Sequence, residues 1–186
     1  MVQAVRKGFA ADADSYDRAR RRAVPCFDDF YRTALELLPF AADDRFELLD
    51  LGASTGLLSA MIAEAFPNAR LTLFDLTAEM LTIARQRLKP LGKRVKFVTA
   101  DFAKAAPSKP YDAVVSALAI HHLPDSGKRH LFADIFKYLT PGGFSSTPIR
   151  WRARAPRSTN ALARCGSSAR ANSRSANAIS TRRWCE

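Results

Sequence analysis

The last 42 residues of this 186-residue chain lack most of what a folded core requires. Residues 145–186 contain no lysine, no phenylalanine and one acidic residue, and only three of them are Leu, Ile, Val or Met. Nine arginines give this segment a net charge of +8. Because so few apolar side chains cannot offset the entropy lost when a chain is ordered, we expect residues 145–186 to form a basic, disordered tail.

Apart from this tail, the chain has little excess of basic charge. The whole chain carries +11, but residues 1–144 hold 20 basic and 17 acidic groups, a net charge of +3. All twelve phenylalanines lie in the same part. Since binding of a polyanion requires clustered basic charge, we expect a near-neutral globular body for which nucleic acid is a disfavoured partner.

Targeting, membrane and metal signals are also missing. The N-terminal segment MVQAVRKGFAADADSYD has no apolar stretch of the signal-peptide kind, and the longest apolar run, AVVSALAI, is too short to span a bilayer. The three cysteines, at positions 26, 165 and 185, lack metal-site spacing and favour a reducing compartment over a disulfide framework. We therefore expect a soluble cytoplasmic protein with no metal and no membrane partner.

Short apolar runs alternate with helical periods from residue 45 onward. Strands are predicted for the runs RFELLDL (45–51), RLTLFD (70–75), VKFVTAD (95–101) and YDAVVSALA (111–119). Helical spacing of apolar residues separates these strands, and Thr77 is the predicted N-cap of the second helix. Strands that are apolar on both faces predict an α/β fold, a doubly wound parallel sheet between layers of helices.

This pattern divides the chain into three segments. We predict an N-terminal helical arm over residues 1–44, a core over residues 45–144 and the tail over residues 145–186. Ligands of such sheets bind beyond the carboxyl ends of the strands. The strand-end residues Asp50, Asp75, Asp101 and Ser116 are therefore the first candidates for a site.

A glycine-containing turn, Asp50-Leu-Gly52-Ala-Ser54-Thr-Gly56, follows the first strand. A phosphate-binding P-loop would end in Gly-Lys-Ser/Thr, but no basic residue lies between Asp50 and Asn68. A dinucleotide fingerprint places glycines at relative positions one, three and six, and only Gly52 complies. An acid before the glycines fits S-adenosylmethionine better, because the ammonium and sulfonium of that molecule favour acidic neighbours while its carboxylate suits a helix N-terminus.

The run LLDLGASTG resembles motif I of the class I S-adenosylmethionine-dependent methyltransferases, which usually reads Asp/Glu-x-Gly-x-Gly-x-Gly. Gly52 and Gly56 match this pattern, and Ser54 replaces the middle glycine. The resemblance implies the Rossmann-like sheet of that family, with S-adenosyl-L-methionine as the cofactor. The cofactor-binding residues that it implies are Tyr16, Asp50, Gly52, Ala53, Ser54, Gly56, Asp75, Leu76, Asp101, Phe102, Ser116 and Ala117.

The resemblance also implies roles for these positions. Asp75, in FDLTAEML, would accept the ribose hydroxyls, and Asp101 and Phe102 would contact the adenine amino group and ring. The backbone near Ser116 and Ala117 would line the methionine end, and Tyr16 would cover the cofactor from the arm. Three alternatives stay open: Asp75 caps the next helix, Asp101 forms a surface turn with Phe102 in the core, and Tyr16 is an ordinary surface tyrosine. Arg18–Arg22 are expected to form a solvated helix face.

The sequence gives less information about the methyl acceptor than about the cofactor. His121 and His122 follow the fourth strand and are weak candidates for a group that orients or deprotonates an acceptor; the alternative is one packed and one solvated histidine. Enzymes that methylate amino groups of nucleic acids typically carry Asn/Asp-Pro-Pro-aromatic here, where this chain has Ser-Ala-Leu-Ala. We therefore predict methyl transfer to a small-molecule acceptor.

The resemblance ends near residue 144, at LTPGGF. The family has a fifth strand, a further helix and two more strands after this point, of which FSSTPI supplies at most a fragment. We expect an incomplete sheet whose fourth strand is nearly an edge, open to pairing with another chain. The tail would then be a frameshift product; the alternatives are an arginine-rich RNA-binding arm and a nonenzymatic cofactor-binding remnant.

Overall fold

A computed structural model describes residues 13–105, 107 and 109–146, with side chains from Tyr16 onward. Five strands lie in this part of the chain: β1 (Glu47–Leu51), β2 (Arg70–Asp75), β3 (Val95–Thr99), β4 (Tyr111–Val115) and β5 (Leu139–Ser146). The helices are α1 (Ala13–Ala23), α2 (Phe27–Glu36), α3 (Leu57–Ala65), α4 (Ala78–Arg87) and α5 (Asp125–Tyr138), with short 3-10 turns at Lys89–Arg94 and Ile120–His122.

The strands form one parallel sheet in the order β3-β2-β1-β4-β5. The chain moves outward from β1 to β3, and then crosses back so that β4 lies on the other side of β1. The strand order therefore reverses between β1 and β4, where the loops after the two strands diverge and leave a crevice. This is the Rossmann-like architecture that the sequence predicts.

Both faces of the sheet are covered, which explains why the strands are apolar throughout. One core cluster contains Leu48 and Leu71 together with side chains of α2, α3 and α4. The other contains Leu49 and Val114 together with Leu131 and Ile135 of α5. Successive strand residues point to opposite faces, so a strand in the middle of such a sandwich buries nearly all of them.

Three predicted strand boundaries differ from the observed ones. The first strand begins at Glu47, two residues after the predicted start. The third and fourth strands end at Thr99 and Val115, before the predicted ends, because the chain turns away from the sheet toward the crevice there. Thr77 does occupy the N-cap position of α4, but its side chain makes no capping hydrogen bond.

The carboxyl-terminal edge is also different from the prediction. Phe144, Ser145 and Ser146 pair with Ala113–Val115, so β4 is an inner strand, and the expectation that it is nearly an edge is wrong. Ser145 and Ser146 belong to β5 and not to the tail. The rest of the predicted tail, from residue 147, lies outside the described residues.

Within the described residues, no helix is both long enough and apolar enough to cross a membrane.

Candidate functional site

A cavity of about 320 Å³ lies at the carboxyl ends of the strands, beside the crevice between β1 and β4. Its wall brings together nine of the residues singled out in the sequence: Tyr16, Gly52, Ser54, Asp75, Leu76, Asp101, Phe102, Ala117 and His122. Arg20, Thr77, Met80, Leu118, Ala119, Leu123 and Pro124 complete the wall. The predicted strand-end residues therefore converge on one space, although they are spread over more than 100 residues of sequence.

The glycine-containing turn forms one side of this cavity. Gly52 has a φ of +71° and Gly56 a φ of +74°, and Ser54 between them also lies in the left-handed region at +53°. A side-chain Cβ at Gly52 would lie 2.2 Å from the Cβ of Ala119. Gly52 thus leaves room for the loop after β4 at the cavity wall, whereas Ser54 holds the left-handed conformation that glycine adopts more easily.

Asp75 is held at the end of β2 by main-chain hydrogen bonds. Its Oδ2 accepts the N–H of Ser54 at 2.8 Å, and its Oδ1 accepts the N–H of Thr77 at 2.8 Å. Burial raises the pKa of Asp75, and these hydrogen bonds oppose that rise. The bond to Thr77 is the helix-start contact of the capping alternative, yet the same carboxylate also lines the cavity.

Asp101 and Phe102 follow β3 and are both half-buried. The Oδ1 of Asp101 accepts the N–H of Ala103 at 2.9 Å, and its Oδ2 lies 3.6 Å from the Nζ of Lys104. These contacts are those of a surface turn, as the alternative interpretation states. The two side chains nevertheless reach the cavity wall, so the turn presents an acid and an aromatic ring to the same space.

Five predicted residues do not line the cavity: Asp50, Ala53, Gly56, Ser116 and His121. Asp50 accepts a hydrogen bond from Ser59 Oγ at 2.7 Å, and Ser116 Oγ donates to the carbonyl of Leu51 at 2.6 Å. Both side chains are buried and hold β1 to its neighbours. Burial, partly opposed by the Ser59 hydrogen bond and the Arg20 charge, raises the pKa of Asp50 to about 6.

Only one of the two candidate histidines lines the cavity. His122 lies on it and His121 does not, although their ring centroids are 4.1 Å apart. Both side chains are exposed. Of the two catalytic candidates, the cavity geometry therefore retains His122.

The N-terminal arm contributes an arginine to the cavity wall that the sequence pattern predicts to be solvated. Arg20 of α1 lines the cavity, and its Nη2 donates to the carbonyl of Ala117 at 2.9 Å. Its guanidinium lies over the rings of Tyr16 and Tyr31, 5.8 Å and 5.7 Å from their centroids. The expectation of a solvated helix face is wrong for Arg20, whereas Arg18, Arg21 and Arg22 are exposed.

The loop after β4 also lines the cavity, which the sequence does not predict. Leu118 and Ala119 were assigned to the fourth strand, but β4 ends at Val115 and Leu118 has a φ of +59°. Met80 of α4 also lies at the cavity wall, with almost no exposed surface. Nothing in the residue types predicts the left-handed conformation of Leu118.

No group of three or more His, Cys, Asp or Glu side chains in the described part of the chain could hold a metal ion. The polar groups of the cavity wall are two carboxylates, one guanidinium, one imidazole, one phenol and two hydroxyls. This donor set suits an organic ligand with hydroxyl and charged groups.

Comparison with known proteins identifies the family of this chain. A family model described as a methyltransferase domain matches residues 48–143, just over half of the chain. The chain belongs to the class I S-adenosylmethionine-dependent methyltransferases. The matched residues begin in β1, include the glycine-containing turn and end in β5.

Curated methyltransferases resemble the chain over part of their length. A trans-aconitate 2-methyltransferase from Azoarcus sp. is 34% identical over 117 residues, which are 62% of this chain and 44% of that protein. A demethylmenaquinone methyltransferase from Thermus thermophilus is 34% identical over 136 residues, which are 73% of this chain and 53% of that protein. The chain thus spans about half the length of these methyltransferases.

Solved methyltransferase structures share the fold. The DhpI complex with SAM and HEP has a TM-score of 0.64 and 27% identity, covering 78% of this chain and 64% of that chain. The amino pentose methyltransferase CalS10 from Micromonospora echinaspora, bound to SAM, has a TM-score of 0.61 and 27% identity, covering 74% and 56%.

Proposed function

We propose that the chain binds S-adenosylmethionine in this cavity and transfers its methyl group to a small-molecule acceptor. The observation that carries the proposal is the convergence of Gly52, Asp75, Asp101 and Phe102 on one cavity beside the sheet crossover. Ligands of open α/β sheets bind at this point of the fold.

The residues present fit the cofactor. A cofactor requires close access to the main chain at the glycine-containing turn, and Gly52 and Ser54 of this turn both lie on the cavity wall. The carboxylates of Asp75 and Asp101 suit hydroxyl and amino groups, and the guanidinium of Arg20 suits a carboxylate. Phe102, Met80 and Leu118 supply apolar surface for an adenine ring or an acceptor.

Asp75 is the residue proposed to bind the ribose. Its oxygens accept the main-chain N–H groups of Ser54 and Thr77, and the Thr77 side chain also hydrogen-bonds to it, so the carboxylate is held in place at the cavity wall. We propose that this fixed carboxylate accepts hydroxyls of the ribose, because a carboxylate is an acceptor with several lone-pair positions. Asp101 is proposed to accept from the adenine amino group, and Phe102 to lie against the ring.

When bound, S-adenosylmethionine supplies a methyl group on a positively charged sulfur. Asp75, Asp101 and Phe102 would hold the cofactor, and the methyl group would pass to a lone pair of the acceptor as the carbon–sulfur bond breaks and its electron pair returns to sulfur. The chain's part in this step is to hold the two molecules in line, which by itself accounts for much of the rate of such reactions. Where the acceptor carries a proton, His122 at the cavity wall is the proposed group to receive it.

The acceptor is proposed to be a small molecule because the named relatives include methyltransferases of trans-aconitate and demethylmenaquinone. None of the described observations favours the RNA-binding alternative.

A transfer assay tests the proposal. The full chain is incubated with S-adenosylmethionine and, separately, with carboxylate, amine and phenol or quinol acceptors, and release of S-adenosylhomocysteine is followed. Acceptor-dependent release that is lost in Asp75→Ala is the expected result. Binding of S-adenosylmethionine without release for any acceptor would favour the nonenzymatic remnant.

A further inference from the structure

The arm helix α1 is held on the protein by polar contacts and not by apolar packing. Among its described side chains, residues 16–23, none is buried; Tyr16, Asp17 and Arg20 are half-buried, and the others are exposed. An element with so little buried apolar surface opens at low cost in free energy. The position of α1 over the cavity therefore depends on a few polar bonds.

Asp17 makes the most extensive of these bonds. Its Oδ1 accepts the hydroxyl of Thr55 at 2.7 Å, and its Oδ2 is paired with Nη2 of Arg87. Arg87 also donates from Nη1 to the main-chain carbonyl of Thr55 at 2.7 Å and to the Thr55 hydroxyl at 3.0 Å. We call Asp17, Thr55 and Arg87 the arm latch, because they join α1 to the glycine-containing turn and to α4.

The arm latch is shielded from solvent better than the other ion pair of α1. Thr55 is fully buried, and the side chains of Asp17 and Arg87 are 24% and 23% exposed. In the pair between Arg21 and Asp28, the exposed fractions are 42% and 70%. Since shielding and several hydrogen bonds to charged groups strengthen an ion pair, the latch is the stronger attachment.

The latch residues do not line the cavity, but their chain neighbours do. Tyr16 precedes Asp17, and Ser54 precedes Thr55; both Tyr16 and Ser54 are on the cavity wall. We propose that the arm latch positions Tyr16 and Arg20 over the cavity and thereby slows release of the bound cofactor. Asp17 and Arg87 are then positioning residues; the inference rests on the proposed function for its ligand but not for the docking of α1.

The first test measures release of S-adenosylhomocysteine from the full chain by stopped flow. Asp17→Asn and Arg87→Gln are each expected to raise the release rate about fivefold, with little change in the association rate. The double variant is expected to show less than the product of the two single effects, because the ion pair between Asp17 and Arg87 is already lost in each single variant. Asp28→Asn is the matched control, since it breaks the exposed pair of α1, and its release rate is expected to equal that of the wild type.

The second test uses hydrogen exchange without any ligand, so it does not depend on the proposed function. The amides of α1 are expected to exchange faster in Asp17→Asn and Arg87→Gln than in the wild type or Asp28→Asn, while amides of β1 and β2 exchange at an unchanged rate and report that the sheet is intact. Arg87→Lys, which keeps the charge and loses the forked donor, is expected to restore part of the protection.

The outcomes distinguish the two proposals. Unchanged exchange of the α1 amides in both latch variants would contradict the proposal, because the arm latch would then not hold α1. Faster exchange combined with an unchanged release rate of S-adenosylhomocysteine would also contradict it, because the latch would then have no effect on the ligand. A wild-type chain that fails to bind S-adenosylhomocysteine would count against the proposed function, and hydrogen exchange would still decide whether the latch holds α1.

Discussion

The main-chain N–H of Ser54 donates a hydrogen bond to Oδ2 of Asp75 at 2.8 Å, which joins the turn after β1 to the end of β2. The two strands are parallel neighbours, with Leu51 paired to Phe74, so their carboxyl ends meet at the same edge of the sheet. The bond fixes the carboxylate at the cavity wall before any ligand arrives. This preorganisation is what makes Asp75 the most direct residue on which to test the proposed site.

Gly52 is expected to tolerate no side chain. In Gly52→Ala the new Cβ would meet the Cβ of Ala119 at 2.2 Å, and the residue would keep a φ of +71°. We expect the free energy of unfolding to fall by about 2–4 kcal/mol and the affinity for S-adenosylhomocysteine to fall at least tenfold, because the turn must shift away from the loop after β4.

Gly92→Ala is the control for this substitution. Gly92 also has a positive φ, +53°, but a Cβ there would have nothing within 4 Å. Backbone strain alone should lower the free energy of unfolding by about 1–2 kcal/mol and leave ligand affinity unchanged. Equal losses of affinity in the two variants, measured by calorimetry, would contradict the role given to Gly52.

The raised pKa of Asp50 predicts that the free energy of unfolding depends on pH. Burial raises its pKa from 3.8 to about 6 in the folded protein. A raised carboxyl pKa means that the folded state binds the proton more tightly than the unfolded state, so this group's contribution is fully present below pH 4 and is lost as pH rises through 6. One pKa unit corresponds to about 1.4 kcal/mol, so the loss amounts to about 3 kcal/mol.

Asp50→Asn removes this titration and retains an oxygen that can accept from Ser59. Urea unfolding at pH 4 and at pH 8 measures the effect. Relative to the wild type, the variant is expected to gain about 2–3 kcal/mol between the two pH values. A stability difference that is the same at pH 4 and pH 8 would mean that Asp50 titrates normally.

Arg20 is expected to differ from the other arginines of its helix. Its guanidinium donates to the carbonyl of Ala117 at the cavity wall, whereas Arg18 is exposed. Arg20→Gln should weaken binding of S-adenosylhomocysteine about tenfold, since a charged hydrogen-bonding group is lost at the wall. Arg18→Gln removes the same charge from an exposed position of the helix, and this variant should bind the ligand as the wild type does. Equal weakening of binding in both variants would mean that only the net charge of the protein matters, and not the position of Arg20.

The residues at the strand ends could be predicted from the sequence because all carboxyl ends of a parallel sheet lie at the same edge. Apolar runs predicted the strands, their carboxyl ends had to meet at one edge, and Gly52, Asp75 and Asp101 therefore fell into one site. Asp50 was predicted for the same reason, yet it faces away from the cavity. It alternates with Leu49 and Leu51, which belong to the core cluster of the α5 face, so its side chain points to the opposite face and to Ser59 of α3.

Other features depended on how separate elements dock. The run of arginines in α1 has no internal signal that Arg20, rather than Arg18 or Arg22, turns inward, because that is decided by where the helix lies on the sheet. Similarly, Pro141 and Gly142 are residues that end helices, and α5 does end before them, at Tyr138. That these residues continue into a strand follows from pairing with β4, which accommodates them through an irregular register between Tyr111 and Ala113.

Binding of S-adenosylmethionine to the full chain, compared between the wild type and Asp75→Ala, tests the proposed site most directly. Calorimetry is expected to give one binding site in the wild type and an affinity at least tenfold weaker in Asp75→Ala, because two hydroxyl acceptors are lost together. Asp112→Ala is a suitable control, since the Asp112 carboxylate accepts the main-chain N–H of Glu47 and the hydroxyl of Thr140 and does not line the cavity. Equal and weak binding by the wild type and Asp75→Ala would leave the family membership intact and contradict the proposed function.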